Sequence, residues 1–126
     1  MTETFTPKEY AEHLAEAGKV LNRQAVATIS RAAGNIKRDW RDRAAVSNKR
    51  AAKKYPSTIV QRRTKLEAGY ITATVETVSR GQGKLGAILE HGGPRNAPQL
   101  NNRKAAAVEA PNLAEWLARL AADSCR

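Results

Sequence analysis

Cysteine is nearly absent. Cys125 stands alone, next to last, so no intrachain disulfide can form and no Cys-x-x-Cys metal or redox motif exists. Histidine is as scarce: His13 and His91 have no spaced partners, so no metal-ligand set emerges. Six aromatic residues serve the whole chain: Phe5, Tyr10, Trp40, Tyr55, Tyr70 and Trp116. Much of the 41% apolar content is alanine, which buries little area. A large apolar side chain contributes roughly 1.5–3 kcal/mol on burial, and few are present. The expected core is thin, and stabilisation by neighbouring copies is the natural complement. No apolar run approaches the roughly 20 residues of a membrane span. The first residues, Met1-Thr2-Glu3-Thr4-Phe5, have neither the basic flank nor the apolar stretch of a signal peptide. These absences predict a soluble protein made in the cytoplasm, with no membrane partner.

Positive charge is what the chain has in abundance. Its 126 residues, enough for one domain, carry a net charge of +10. Such a balance suits an acidic partner, most often nucleic acid, and also maintains solubility.

Thr6-Pro7-Lys8-Glu9 is a helix start, a capping box with proline at the first helical position. Behind it, Leu14, Ala17, Leu21, Ala25, Ile29, Ala32, Ile36 and Trp40 recur every three or four residues. One helical face is therefore apolar, and a long helix is expected over 7–45. Gly34-Asn35 is a possible stop inside it, but the stripe keeps its register past that point. A basic linker is expected over 46–56, ended by Tyr55-Pro56.

From Ser57 the pattern changes to β-branched residues, and a β-hairpin is expected over 57–79. In its second strand Ile71, Ala73 and Val75 share one face and Thr72, Thr74 and Glu76 the other. Lys65 to Gly69 supplies the turn. Residues 80–101 hold Gly, Pro and Asn and should be loop, with a short ordered piece at Leu85–Glu90. A C-terminal helix follows over 102–123, bent near Pro111, with Leu113, Trp116, Leu117 and Leu120 packing it on the sheet. The fold class is α+β, one domain spanning 1–126.

Two motifs bear on chemistry. Gly81-Gln82-Gly83-Lys84-Leu85-Gly86 satisfies the G-x-G-x-x-G dinucleotide fingerprint. That fingerprint needs a full helix at the third glycine and a βαβ unit around it. Only Ala87 to His91 stand before Gly92-Gly93-Pro94, so the glycines read instead as a tight turn leaving the strand. A Walker A loop fails because Ala87-Ile88 stands where Lys-Ser/Thr is required. Glu90-His91 could suggest acid–base chemistry, but no nucleophile, base and orienting group can be assembled. A non-enzyme with no cofactor and no metal is expected.

The second motif is the basic run 37–54. Lys37, Arg38, Arg41, Arg43, Lys49, Arg50, Lys53 and Lys54 stand against two acidic residues, Asp39 and Asp42. They are candidates for contact with DNA phosphates or an acidic partner, and equally for a solvated face. Few aromatics are interleaved, so a base-stacking platform is not expected.

Tyr55-Pro56-Ser57-Thr58-Ile59, a strand, Gly81 through Gly92, then Asn96-Ala97-Pro98 and an alanine- and glutamate-bearing helix occur in that order. Together they resemble the tail-component family of tailed bacteriophages, the minor tail, tail-completion and head–tail joining (neck) proteins. The type found in phages of actinobacteria is closest, and the resemblance runs from about Ala11 to Ala122. His91 stands where the family commonly has Tyr or Phe. Pro98-Gln99-Leu100 stands where Pro-Phe or Pro-His is frequent. Both differences fall in the packing of the loop.

The resemblance implies a structural virion protein forming a ring, commonly a hexamer, at the head–tail junction or head-proximal tail end. Its implied partners are copies of itself, the tail tube protein, neck, stopper or connector proteins, and phage double-stranded DNA held without sequence preference in the lumen. Assembly would take place in the host cytoplasm. Gly81, Gly83, Gly86, Leu89, Glu90, His91, Gly92 and Pro98 are then the expected subunit or partner contacts. Replacing Glu90 with alanine should impair assembly more than folding. Hairpin edges that pair with a neighbour's strand would close such a ring. A free-standing, sequence-non-specific DNA-binding protein is the alternative.

Overall fold

The computed structural model describes residues 7–49, 52–93 and 97–124. Helix α1, Pro7–Ser47, is the spine of the fold. Its 41 residues give it a length of about 60 Å at 1.5 Å per residue. The capping residue Thr6 and the aromatic Phe5 lie outside the described residues. Gly34-Asn35 does not end α1, because tertiary contacts hold this stretch in the helix. Asn35 donates its side-chain N–H to Glu109 at 3.0 Å, and Gln61 donates to the Ser30 carbonyl at 2.9 Å. At the C-terminal end the Ala44 carbonyl accepts both the Asn48 backbone amide at 3.0 Å and the Asn48 side-chain N–H at 2.8 Å.

The hairpin is built from four short strands. β1 (Ile59–Gln61) pairs antiparallel with β4 (Val75–Thr77). β2 (Lys65–Glu67) pairs antiparallel with β3 (Tyr70–Thr72). Between the two ladders Arg62, Arg63 and Thr64 oppose only Ala73 and Thr74, so one arm carries an extra residue. The two ladders are thus one hairpin interrupted by a bulge-like offset. Arg62 still bonds across it, its amide meeting the Thr74 carbonyl at 2.8 Å. The turn is narrower than the sequence suggests: Lys65–Glu67 is strand, and only Ala68-Gly69 turns. Their φ values of 51° and 80° match a type I′ turn, whose twist suits a two-residue hairpin. Ile71, Ala73 and Val75 are half-buried, whereas Thr72, Thr74 and Glu76 are exposed, the alternation expected of one covered face.

The hairpin lies back along α1. Arg41 donates to the Ile59 carbonyl at 2.8 Å, and Ser30 and Thr64 share a hydroxyl hydrogen bond of 2.5 Å. After β4 comes a 3-10 turn at Gly81–Leu85, then α2 (Gly86–His91) and α3 (Asn101–Ser124). α3 packs most extensively along α1 and runs antiparallel to it, Asn101 beside Ser47 and Trp116 beneath Arg31. Its stripe of Leu113, Trp116, Leu117 and Leu120 is half-buried, and Pro111 lies inside the helix.

The core is small. Trp40, Ala44, Tyr55, Ile59 and Ala105 form its buried cluster, with Ile36, Ala52, Val75 and Leu89 packed against it. Alanines at 32, 33, 44 and 105 are buried where larger side chains would hold the helices apart. An apolar groove of about 290 Å³ remains open between α1, the hairpin and α3, lined by residues that include Ile29, Ala33, Ala73, Val75 and Leu113. Among the described residues no helix is long and apolar enough to cross a membrane.

Candidate functional site

The glycine-rich segment and Glu90 meet α1, the linker, the end of β4 and the start of α3. Gly83 and Gly86 are buried against the end of β4. A Cβ on Gly83 would lie 1.9 Å from the Val78 carbonyl oxygen, and one on Gly86 would lie 2.6 Å from Thr77 Oγ1. The G-x-G-x-x-G spacing therefore serves close packing of a turn on a strand. α2 does open at the third glycine, but it runs only six residues, too short for the helix that the dinucleotide fingerprint requires.

Glu90 follows one turn later and is only 2% exposed. Its Oε1 accepts the Trp40 indole N–H at 2.8 Å and the Tyr55 hydroxyl at 3.0 Å. Its Oε2 accepts the backbone N–H groups of Asn101 at 2.6 Å and Asn102 at 3.3 Å. One carboxylate thus caps α3 from outside that helix and ties it to α1 and the linker. Its charge also complements the positive end of the α3 dipole. Burial, and then the neighbouring Glu90 charge, hold the Tyr55 phenol pKa well above its ordinary value. A phenol that stays protonated stays a donor to the carboxylate.

Beside this hub the amides close a second small network. Gln99 exchanges hydrogen bonds with Asn48 at 2.9 and 3.1 Å, and Asn101 reaches Ser47 and Gln99 at 3.2 Å each. The C-terminal end of α1 is thereby fastened to the N-terminal end of α3.

The expected contact residues separate on this geometry. Glu90, Gly83 and Gly86 are buried within the chain, and the partners they show are intramolecular. Leu89 is half-buried against the core, and its carbonyl receives the Gln99 amide at 2.9 Å. Gly92 ends α2 with φ 84°. Gly81, His91 and Pro98 are exposed. Asn96 of the family-like segment lies outside the described residues.

The basic run separates as well. Arg41 is bound to the Ile59 carbonyl and Arg43 pairs with Asp39 at 3.0 Å, so both are engaged inside the chain. Lys37 is half-buried. Arg38, Lys49, Lys53 and Lys54 are exposed, and Arg50 lies outside the described residues. Sequence reasoning missed the partners of Glu90. Trp40 stood in the apolar stripe and Tyr55 before a proline, and neither position signals a shared acceptor 35 to 50 residues away. The available signal was a glutamate following Ala87-Ile88-Leu89 in a chain with few aromatics.

The fold defines a small α+β unit in which a long helix carries a hairpin and an antiparallel helix. No family model, curated protein or solved structure matches the chain. Among the described residues no group of three or more His, Cys, Asp or Glu could hold a metal ion.

Proposed function

We propose that the protein is a structural, ring-forming component of a tailed-phage virion, placed at the head–tail junction as a tail-completion, terminator or neck protein. It acts without catalysis, by shape and repetition around an axis. The family resemblance, carried by the motifs from Tyr55 to the C-terminal helix and running from about Ala11 to Ala122, suggests this reading. One structural observation supports it best: among the described residues each ladder of the hairpin joins only two strands, and the hairpin borders an apolar groove that the chain itself leaves open. Unpaired strand edges recruit further strands, and a heterologous contact repeated by rotation closes a ring. The partner assigned to the groove and hairpin is a second copy of this chain. The small core is consistent with stability gained on assembly.

Light scattering coupled to size-exclusion chromatography tests the reading. The expected result is a defined oligomer, or a monomer that becomes one when the tail tube protein is added. A chain that remains monomeric in both cases, or that is absent from purified virions, overturns it.

A further inference from the structure

The sequence places Lys53-Lys54 and Arg80/Lys84 in different segments, and the fold brings those segments to one end of the molecule. Three ties accomplish this. The Lys54 amide donates to Gln82 Oε1 at 2.6 Å. The Val78 amide donates to the Thr58 carbonyl at 2.9 Å. Gly83 is seated on the Val78 carbonyl so closely that no side chain fits between. The Lys54 carbonyl is held too, by the Ser57 hydroxyl at 2.7 Å. The backbone beneath these cations is therefore fixed, while all four side chains are exposed.

Among the described residues none of the four takes part in an ion pair. The sequence has no acidic residue between Arg43 and Leu66, and Glu90 is the only one between Thr77 and Val108. Glu90 is buried and committed to Trp40, Tyr55 and α3. By contrast, Lys19, Arg43, Arg62 and Arg119 each have a carboxylate partner. Uncompensated cations on a rigid base repel one another, and a polyanion relieves that repulsion.

We propose that Lys53, Lys54, Arg80 and Lys84 form one phosphate-binding face for double-stranded nucleic acid. A duplex is favoured over a single strand because, among the described residues, the aromatic ring next to the patch, Tyr55, is fully buried and offers no stacking face. Long lysine and arginine side chains on an exposed surface suit contact with successive phosphates, without base readout. The inference shares with the proposed function only the nucleic-acid partner that the family resemblance implies, and it does not require a ring.

The test is fluorescence anisotropy with a labelled duplex of about 30 base pairs, titrated between about 50 and 200 mM salt. Lys53→Gln/Lys54→Gln and Arg80→Gln/Lys84→Gln should each lower the slope of log affinity against log salt by about 2, equally for unrelated sequences. The quadruple variant should lose about tenfold or more in affinity at about 100 mM salt. The control is Lys19→Gln/Arg119→Gln, with Lys19 about 40 Å along α1 from its C-terminal end. Equal weakening by the control would show a general charge effect and overturn the patch. Tighter binding of poly-glutamate than of duplex, lost in the same variants, would also overturn it in favour of an acidic protein partner. Circular dichroism checks that each variant is folded; single Lys53→Gln and Lys84→Gln variants, expected to lower the slope by about 1 each, replace any that is not. Light scattering on the same samples, with and without the tail tube protein, reports assembly separately: a chain monomeric in both cases that still shows the patch dependence sinks only the ring, and a ring without that dependence sinks only the patch.

Discussion

Trp40 donates its indole N–H to the Glu90 carboxylate, 50 positions later in the chain, at 2.8 Å. That bond joins the longest helix to the shortest, and the same carboxylate starts α3. One buried carboxylate thus meets α1, the linker and the start of α3.

Removing that anion should unfold the protein rather than merely weaken its assembly. Glu90→Ala strands the Trp40 and Tyr55 donors and two α3 amides, and an unsatisfied buried donor costs about 1–3 kcal/mol. The expected loss exceeds about 3 kcal/mol, a large share of the total for a small domain. Glu90→Gln keeps an acceptor and should lose less. Urea unfolding followed by tryptophan fluorescence reads both. A Glu90→Ala chain that folds normally but fails to assemble would restore a surface role for the residue.

Alkaline pH should destabilise the fold through Tyr55. Its pKa is raised in the folded state above the ordinary 10, first by burial and then by Glu90. The unfolded chain releases the phenolic proton near that ordinary value and the folded chain holds it. The stabilisation is complete below about pH 10 and declines as pH rises above it. Tyr55→Phe should lower stability at neutral pH, by roughly 1.5–3 kcal/mol for a hydrogen bond to a charged group. It should also flatten the alkaline decline. Thermal melts from pH 8 upward measure both effects, and an unchanged alkaline slope in the variant would refute the assignment.

The two buried glycines should tolerate alanine unequally. At Gly83 the added Cβ meets backbone at 1.9 Å, whereas at Gly86 it meets the Thr77 side chain at 2.6 Å. Side chains rotate more readily than strands move. Gly83→Ala is expected to be the more damaging, by several kcal/mol or outright failure to fold. Gly86→Ala combined with Thr77→Ser or Thr77→Ala should recover part of its loss. Melting temperatures of the set give the order.

The hairpin turn can be improved. Ala68 has φ 51°, which costs a residue with a Cβ roughly 1–2 kcal/mol. Asn tolerates this conformation and Asn-Gly is the favoured type I′ pair. Ala68→Asn should therefore stabilise the protein by about 1 kcal/mol. Ala68 is exposed, so packing should not change. A melt that falls instead would mean the turn is held in another geometry.

Local order was legible because local rules govern it. The period of the α1 stripe, the alternation from Ile71 to Val75 and the tight glycine turn follow from side-chain geometry within a few residues. So did the α+β class and the expectation of a small core. The extent of α1 was underestimated by two residues, because Asn48 and its bonds to Ala44 and Gln99 finish the helix with groups distant in sequence. The helix runs through Gly34-Asn35, as the unbroken register of the stripe indicates, and Glu109 supplies the Asn35 side chain with a partner from α3.

The chemistry of the sites lay beyond local rules. The sequence by itself determined the elements, their amphipathic faces and an excess of positive charge, since these depend on periodicity and composition. Only the tertiary structure decided that Glu90 is an internal cap, that Arg41 and Arg43 are already engaged, and that Lys54 stands beside Gln82. Each depends on which distant groups approach within hydrogen-bonding distance, and that is fixed by packing three-dimensional surfaces together, not by spacing along the chain.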